Sequence, residues 1–279
     1  MKVRLWGTRG SVASPGADTA RYGGNTSCVE VRDGDGTVLV LDAGTGIRPL
    51  GATLDSVRRV HILLTHLHMD HIQGLGFFRP LFDPDVETHL WGPASATDDL
   101  RRRLVRYLSP PLFPVHLRDL PRLVLHDVPG TAFDVGPFRV MASRICHPGH
   151  TVGYRIAQGR HSIAYLSDHE PALGTATFPL KPDWTSGYAL AEDVDLLLHD
   201  AQYSLAEYER HVGWGHSALD HAIAFAELAR VRHLVTFHHD PSHSDDDIDR
   251  LTTAATKARA PIFKVTPGAE GAVFDVGNN

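Results

Sequence analysis

The stretch that decides how this chain is read is HILLTHLHMDH, residues 61–71. A short apolar run ends abruptly in four side chains of metal-ligand type, His66, His68, Asp70 and His71. In extended backbone, residues two apart point to the same side, so His66 and His68 can share one cation. Asp70 and His71 are neighbours and diverge, which suits a second cation beside the first. A zinc ion takes about four ligands. The motif alone therefore leaves both ions short of donors, and the remainder must come from elsewhere in the chain.

Working outward, the same pattern of an apolar run broken by a polar ligand recurs in SRICHPGH (143–150), AYLSDHE (164–170), LLLHD (196–200) and LVTFHH (234–239). A polar group at a strand's end sits where loops carry sites on a rigid scaffold. His147, Asp168 and His238 complete a set. His66, His68 and His147 serve one ion; Asp70, His71 and His238 serve the other; the two oxygens of Asp168 bridge them. His150 is the rival of His147, and His239 of His238. Cys146 reads as a small buried side chain. Nitrogen and oxygen donors without thiolate fit two divalent metal ions, Zn²⁺ first, with Mn²⁺ or Fe plausible.

β-Branched runs bounded by Gly, Pro or Asp predict strands at 2–6, 27–31, 37–41, 60–65, 138–143, 162–166, 194–198, 234–237 and 262–265. Helical spacing appears at 97–108 and at 217–230, where Ser217 and Asp220 have capping-box spacing. A third helix is expected over 244–258, opening with three aspartates that suit the helix dipole. Strands in runs with helices interspersed suggest an α/β (α+β) fold with two sheets covered by helices. With no linker or low-complexity tract, residues 1–279 read as a single domain.

The composition narrows the function. The chain has 279 residues, 42% of them hydrophobic, a net charge of −6 and two cysteines, Cys28 and Cys146. Two cysteines make no disulfide framework, so a cytoplasmic setting is the expectation. The stretch MKVRLWGTRGS turns polar too soon for a signal peptide. No window approaches the roughly 18 apolar residues of a membrane span. Acidic charge disfavours a nucleic-acid surface. The chain holds 19 histidines, and histidine is both the commonest metal ligand and the usual proton carrier near neutral pH.

THLHMDH, with the later His, Asp and His, resembles the metallo-β-lactamase superfamily. The resemblance implies a four-layer αββα sandwich, two mixed sheets flanked by helices, with a two-metal hydrolytic site. Three further blocks are similar to the phosphodiesterase branch, which contains tRNase Z and cyclic-phosphate phosphodiesterases: WGTRGS…RYGGNTSCVEV leading to LDAGTG, His147-PGHTVGYRI, and LLLHDAQY…GWGHSALDHA. The second favours His147 over His150. The third implies that Asp200 and His216 assist proton transfer. No long arm of the kind tRNase Z uses to grip tRNA is evident.

On this reading water activated between the ions attacks phosphorus, Asp70 orienting it, while His216, oriented by Asp200, protonates the leaving group. Asp42, in DAGTG, reads as a supporting or turn-forming residue. Arg9, Tyr22 and His150 are candidates for substrate contact. Arg21 is as readily a surface ion pair, and Arg101–Arg103 the solvated face of a helix. Tyr22, Trp214 and 109–115 (SPPLFPV) offer either an apolar wall or ordinary packing. The expected partner is a small-molecule phosphodiester; nucleic acid is less favoured, no membrane is involved and a homodimer is possible. Thioester or lactone hydrolysis shares every metal ligand but has no use for Asp200 and His216.

Overall fold

A computed structural model describes residues 1–34, 36–173, 178–179 and 181–277. The first sheet is built from β1 (Lys2–Gly7), β2 (Cys28–Arg32), β3 (Val38–Leu41), β4 (Arg59–Leu63), β5 (Glu87–Gly92) and β6 (Leu123–Asp127). The second contains β7 (Phe133–Val135), β8 (Phe138–Arg144), β9 (Val152–Gln158), β10 (His161–Leu166), β11 (Leu196–Asp200), β12 (His233–Phe237) and β13 (Lys264–Pro267). A further strand, β14 (Val273–Asp275), returns to the first sheet and pairs with β1, so the orders are β14-β1-β2-β3-β4-β5-β6 and β13-β12-β11-β10-β9-β8-β7.

Each sheet follows one plan, three antiparallel pairings and then three parallel ones. Side chains of a strand alternate between faces, and parallel strands covered on both faces need apolar residues throughout. VLVL of β3 shows the result. Leu39 and Leu41 join the core between the sheets, with Phe138, Tyr154, Ile156, Tyr165 and Phe237 from the second sheet. Val38 and Val40 face outward against α1 (Ile47–Gly51) and α3 (Leu100–Leu104). The outer face of the second sheet packs on α4 (Tyr188–Ala191), α6 (Leu219–Leu228) and α7 (Asp245–Arg259), with the short α5 (Leu205–Tyr208) between α4 and α6 in the chain. The expected αββα sandwich is thus present. Each fully buried Leu, Val or Phe contributes about 1.5–3 kcal/mol.

The expected strands are all found, with ends shifted by a residue or two, but β5, β6, β7, β9 and β14 were not anticipated. ETHLWG and LVLHD carry histidines, tryptophan and carboxylates where an apolar run was sought. The helix expected over 97–108 is regular only over Leu100–Leu104, begun by Asp99 accepting from the Arg102 amide at 2.7 Å. Its apolar stripe survives, since Leu100, Leu104 and Leu108 are all buried. The capping box foreseen at Ser217 is absent. Ser217 instead donates its hydroxyl to the His169 carbonyl at 2.6 Å and its amide to Asp200 at 3.0 Å, leaving α6 without a side-chain cap. Ser244 does form a capping box, with Asp247, at the start of α7.

The ends of β3, β4, β8, β10, β11 and β12 lead into Asp42, His66, His147, Asp168, Asp200 and His238. All six strands finish at the same end of the sandwich, where α/β sheets place their ligands. Among the described residues no helix is long and apolar enough to cross a membrane.

Candidate metal centre

After β4 the chain bends at Thr65, is extended at His68 and then turns into α2 (Met69–Ile72). This change of backbone sends His66 and His68 to one side and carries Asp70 and His71 round to the other. Donor atoms of His66, His68 and His147 lie within 4.8 Å of one another, and so do those of Asp70, His71, Asp168 and His238. Asp168 stands between the groups. Its Oδ1 is 3.1 Å from His71 Nε2, while its Oδ2 is 3.3 Å from His238 Nε2, 3.7 Å from His66 Nε2 and 3.8 Å from His147 Nε2. The structure thus brings together the residues that the sequence reading grouped, with Asp168 between the two sets.

Four of the histidines are held from behind. His71 Nδ1 donates to Asp42 Oδ2 at 2.8 Å. Thr65 gives its hydroxyl to the same carboxylate, so His66 Nδ1, 3.0 Å from that oxygen, must be a donor to it. His147 Nδ1 donates to the Gly215 carbonyl and His238 Nδ1 to Gln202 Oε1, each at 2.9 Å. In all four rings Nδ1 carries a proton directed at its outer partner, and Nε2 faces the cluster. Such outer partners fix the tautomer and orientation of histidine ligands in metal sites. Asp42, fully buried, also accepts from the Thr65 amide at 2.7 Å and the Tyr165 hydroxyl at 2.9 Å. The DAGTG aspartate therefore supports the cluster instead of joining it.

The residues fit a pair of cations on chemical grounds. His66 Nε2 is buried without a hydrogen-bond partner, and His71 Nε2 and Asp168 Oδ1, buried and 3.1 Å apart, make no well-formed hydrogen bond; such groups are costly unless something meets them. Electrostatics points the same way. Burial pushes the Asp70 and Asp168 carboxyls up, yet the histidines around them hold both below the usual range. Burial pulls His238 down, but Asp168 and Asp70 outweigh it and raise the ring to about 9; the same carboxylates with Asp42 raise His71. Burial alone dominates at His147, lowered to about 4, and at His66. Protonated rings supply positive charge that divalent cations would otherwise bring.

Beside this cluster His216 Nδ1 donates to Asp200 Oδ2 at 2.7 Å, and Asp200 Oδ1 accepts from the amides of Ser217 and Gln202, both at 3.0 Å. The His216 ring stacks on His238 with centroids 4.8 Å apart and lies 5.1 Å from His147. It shares a 4.8 Å neighbourhood with donor atoms of His147 and Asp168. The geometry thus brings Asp200 and His216 to the cluster, as the sequence led one to expect.

Three expected substrate contacts are placed elsewhere. Arg9 is fully buried and donates to the carbonyls of Gly23, Asp240 and His243, with Asp245 at 3.7 Å. This arginine ties Gly23 to the segment that leads into α7, and its complete burial keeps it from a ligand. Tyr22 gives its hydroxyl to Asp249 of α7, and Arg21 pairs with Asp246 and Asp249. His150 is exposed, with Arg144 at 3.0 Å from its Nδ1, and His239 is buried against the Gly268 carbonyl. Sequence reasoning missed Gln202 and Gly215, which hold two of the rings. It also missed Glu170, a buried carboxylate accepting from the Gly213 and Gly215 amides at 2.8 and 2.7 Å. GWG hinted at a tight turn; nothing in it indicated that its carbonyl faces a histidine.

Comparisons with known proteins place the chain among similar sequences and folds. The chain is 25% identical to ribonuclease Z of Myxococcus xanthus over 272 residues, covering 81% of this chain and 85% of the relative. Its fold superposes on the metallo-β-lactamase fold protein YhfI of Bacillus subtilis with a TM-score of 0.71 at 18% identity, covering 98% of this chain and 99% of the other. A diphosphatase of the PhnP family gives a TM-score of 0.69 at 20% identity, with 98% and 97% covered. Residues 37–239, which include all seven clustered donors, match the beta-lactamase superfamily domain, and the chain belongs to that family.

Proposed function

We propose that the protein is a dinuclear metal-dependent phosphodiesterase acting on a small or cyclic phosphodiester. The observation that carries this reading is the Asp200–His216 pair at the rim of the donor cluster. Hydrolysis of thioesters or lactones would use the same donors but gives no part to such a pair. The relatives named above as a ribonuclease and a diphosphatase both act on phosphorus esters or anhydrides, which supports the choice.

His66, His68 and His147 would hold one cation, Asp70, His71 and His238 the other, and Asp168 both. Two divalent ions there supply a water of lowered pKa and offset charge on the phosphoryl oxygens. Zn²⁺ suits the nitrogen and oxygen donors best. The chain's own residues do the rest. Asp70 Oδ2 is held by the Ser11 amide at 2.9 Å, which fixes the carboxylate beside the reacting centre. His216 Nδ1 is committed to Asp200, so Nε2 is the atom that exchanges a proton with the leaving oxygen. Asp200, anchored by two backbone amides, keeps that ring from rotating.

The test is hydrolysis of a panel of cyclic and linear phosphodiesters by Zn²⁺- and Mn²⁺-loaded protein, with thioester, lactone and β-lactam controls. Turnover of the phosphodiesters well above the controls is expected. Turnover of a thioester or lactone alone overturns the reading. Elemental analysis should give close to two metal ions per chain.

A further inference from the structure

An apolar groove of about 560 Å³ opens next to the donor cluster, lined by Met69, Ile72, Tyr107, Leu112, Arg103 and Arg106. Leu67, which also lines it, and Met69 flank His68 in the chain, and Ile72 follows His71. The wall between groove and cluster is therefore the ligand loop itself. Large apolar side chains stand in solvent here: Leu112 is 69% exposed, Met69 51% and nearby Phe77 63%. Apolar surface of this kind beside a reactive centre marks a binding site more often than chance. The Tyr107 ring is fixed by its hydroxyl, which donates to the Gln73 carbonyl at 2.6 Å. Phe113 packs edge-on against Phe77 beneath the rim.

Charge says what kind of molecule fits. The chain carries a net charge of −6, yet this groove has two arginines and no carboxylate in its lining. Arg103 is occupied, donating to the Pro93 carbonyl at 2.6 Å. Arg106 is held only by Asp98 at 3.1 Å with its side chain 75% exposed, a surface pair of little strength. Its guanidinium can turn to an anion without leaving a buried partner behind.

The side of approach says which part of the substrate lies there. The groove is formed by segments 67–72 and 103–112 of the first-sheet half, whereas Asp200 and His216 belong to the second. A leaving group next to His216 puts the group retained on phosphorus toward the groove. We infer that this groove is the specificity pocket of the enzyme. It takes an aryl or similarly sized apolar group retained on the phosphodiester, with Arg106 meeting the substrate's negative charge. The inference rests on the phosphodiesterase reading above.

Two p-nitrophenyl phosphodiesters test it, one retaining a methyl group and the other a benzyl group. Both release the same phenolate, so any difference comes from the retained group. Metal-loaded wild-type protein should favour the benzyl ester in kcat/KM by roughly tenfold or more. Leu112→Glu and Arg106→Glu alter exposed side chains and should leave folding intact. Leu112→Glu should abolish the preference by lowering kcat/KM for the benzyl ester to that for the methyl ester, and Arg106→Glu should raise KM for both esters. A reading independent of turnover is the fluorescence of 1-anilinonaphthalene-8-sulfonate with metal-free protein, whose binding should weaken about tenfold in either variant. Equal kcat/KM for the two esters, or a preference that survives Leu112→Glu, overturns the groove assignment and leaves the phosphodiesterase reading standing. Failure of wild-type protein to cleave either ester overturns both.

Discussion

Replacing Asp200 by Asn separates the placement of the proton donor from its presence. The native carboxylate accepts from the Ser217 and Gln202 amides through Oδ1 and from His216 through Oδ2. An Asn here keeps its oxygen on the two backbone amides, and its NH₂ then faces His216. Nδ1 must now accept, the ring proton moves to Nε2, and the bond to a charged partner becomes a neutral one. Hydrogen bonds to charged groups are worth about 1.5–3 kcal/mol. At about 1.4 kcal/mol per factor of ten, Asp200→Asn should slow turnover about 10- to 150-fold where the leaving group needs a proton. His216→Ala removes the donor and should cost roughly 10²–10⁴. The assay pairs a ribonucleoside 2′,3′-cyclic phosphate, which expels an alkoxide, with a p-nitrophenyl ester, whose phenolate leaves unaided. Both variants should retain their metal and lose far more on the first substrate. Equal losses on the two substrates, or none, would refute the donor role and return thioester and lactone hydrolysis to first place.

Asp42→Asn should weaken metal affinity about 10- to 100-fold, since Asp42 fixes His71 directly and His66 through Thr65. A chelator competition showing native affinity would mean that those tautomers do not matter. Gly215→Ala places a Cβ 2.3 Å from His147 Nδ1 at a backbone φ of +89°, so the variant should lose one ion of the pair by elemental analysis while remaining folded by circular dichroism. For metal-free protein the pH dependence of stability has two limbs. Burial lowers His199 and His239 to about 4, so the unfolded chain binds more protons below its value of about 6.5 and stability falls as pH drops from there to 4. Burial opposes protonation of His238, but Asp168 and Asp70 raise it to about 9. Its contribution is complete below about 6.5 and is lost as pH rises to 9. Thermal melts of metal-free protein should therefore peak near pH 6.5, and bound metal should remove the alkaline limb; a flat profile from 4 to 9 would contradict both assignments.

The metal cluster was legible because its parts are local. His66 to His71 is one loop, and the other donors each end an apolar strand, so the sequence pattern and the geometry coincide. His147 over His150 drew on the family resemblance, since either could end its strand, whereas His238 follows the apolar run LVTF directly. The supports were hidden because they act across the fold. Gln202 meets His238 and the Gly215 carbonyl meets His147 through chain separations that no local pattern encodes. Arg9 was misjudged for the opposite reason. An arginine beside a glycine-rich turn resembles a phosphate ligand, and only the fold shows three carbonyls already using it. The half-polar strands β5 and β6 escaped notice because histidine and tryptophan at the sandwich margin blur the alternation.

The pairing of β14 with β1, in which Val3 lies opposite Phe274, fixes an order of events. A sheet whose first strand waits for β14 closes only after all its other strands have been made, and contacts so distant in sequence form slowly. His238 likewise emerges late, on β12. A cation reaching the chain before His238 would find six donors of the seven, with the sheets that set Asp42 and Gln202 behind them still incomplete. On the dinuclear reading proposed above, metal loading would therefore follow folding. A cell short of zinc should accumulate folded protein that can be activated later by the ion alone, with no new synthesis.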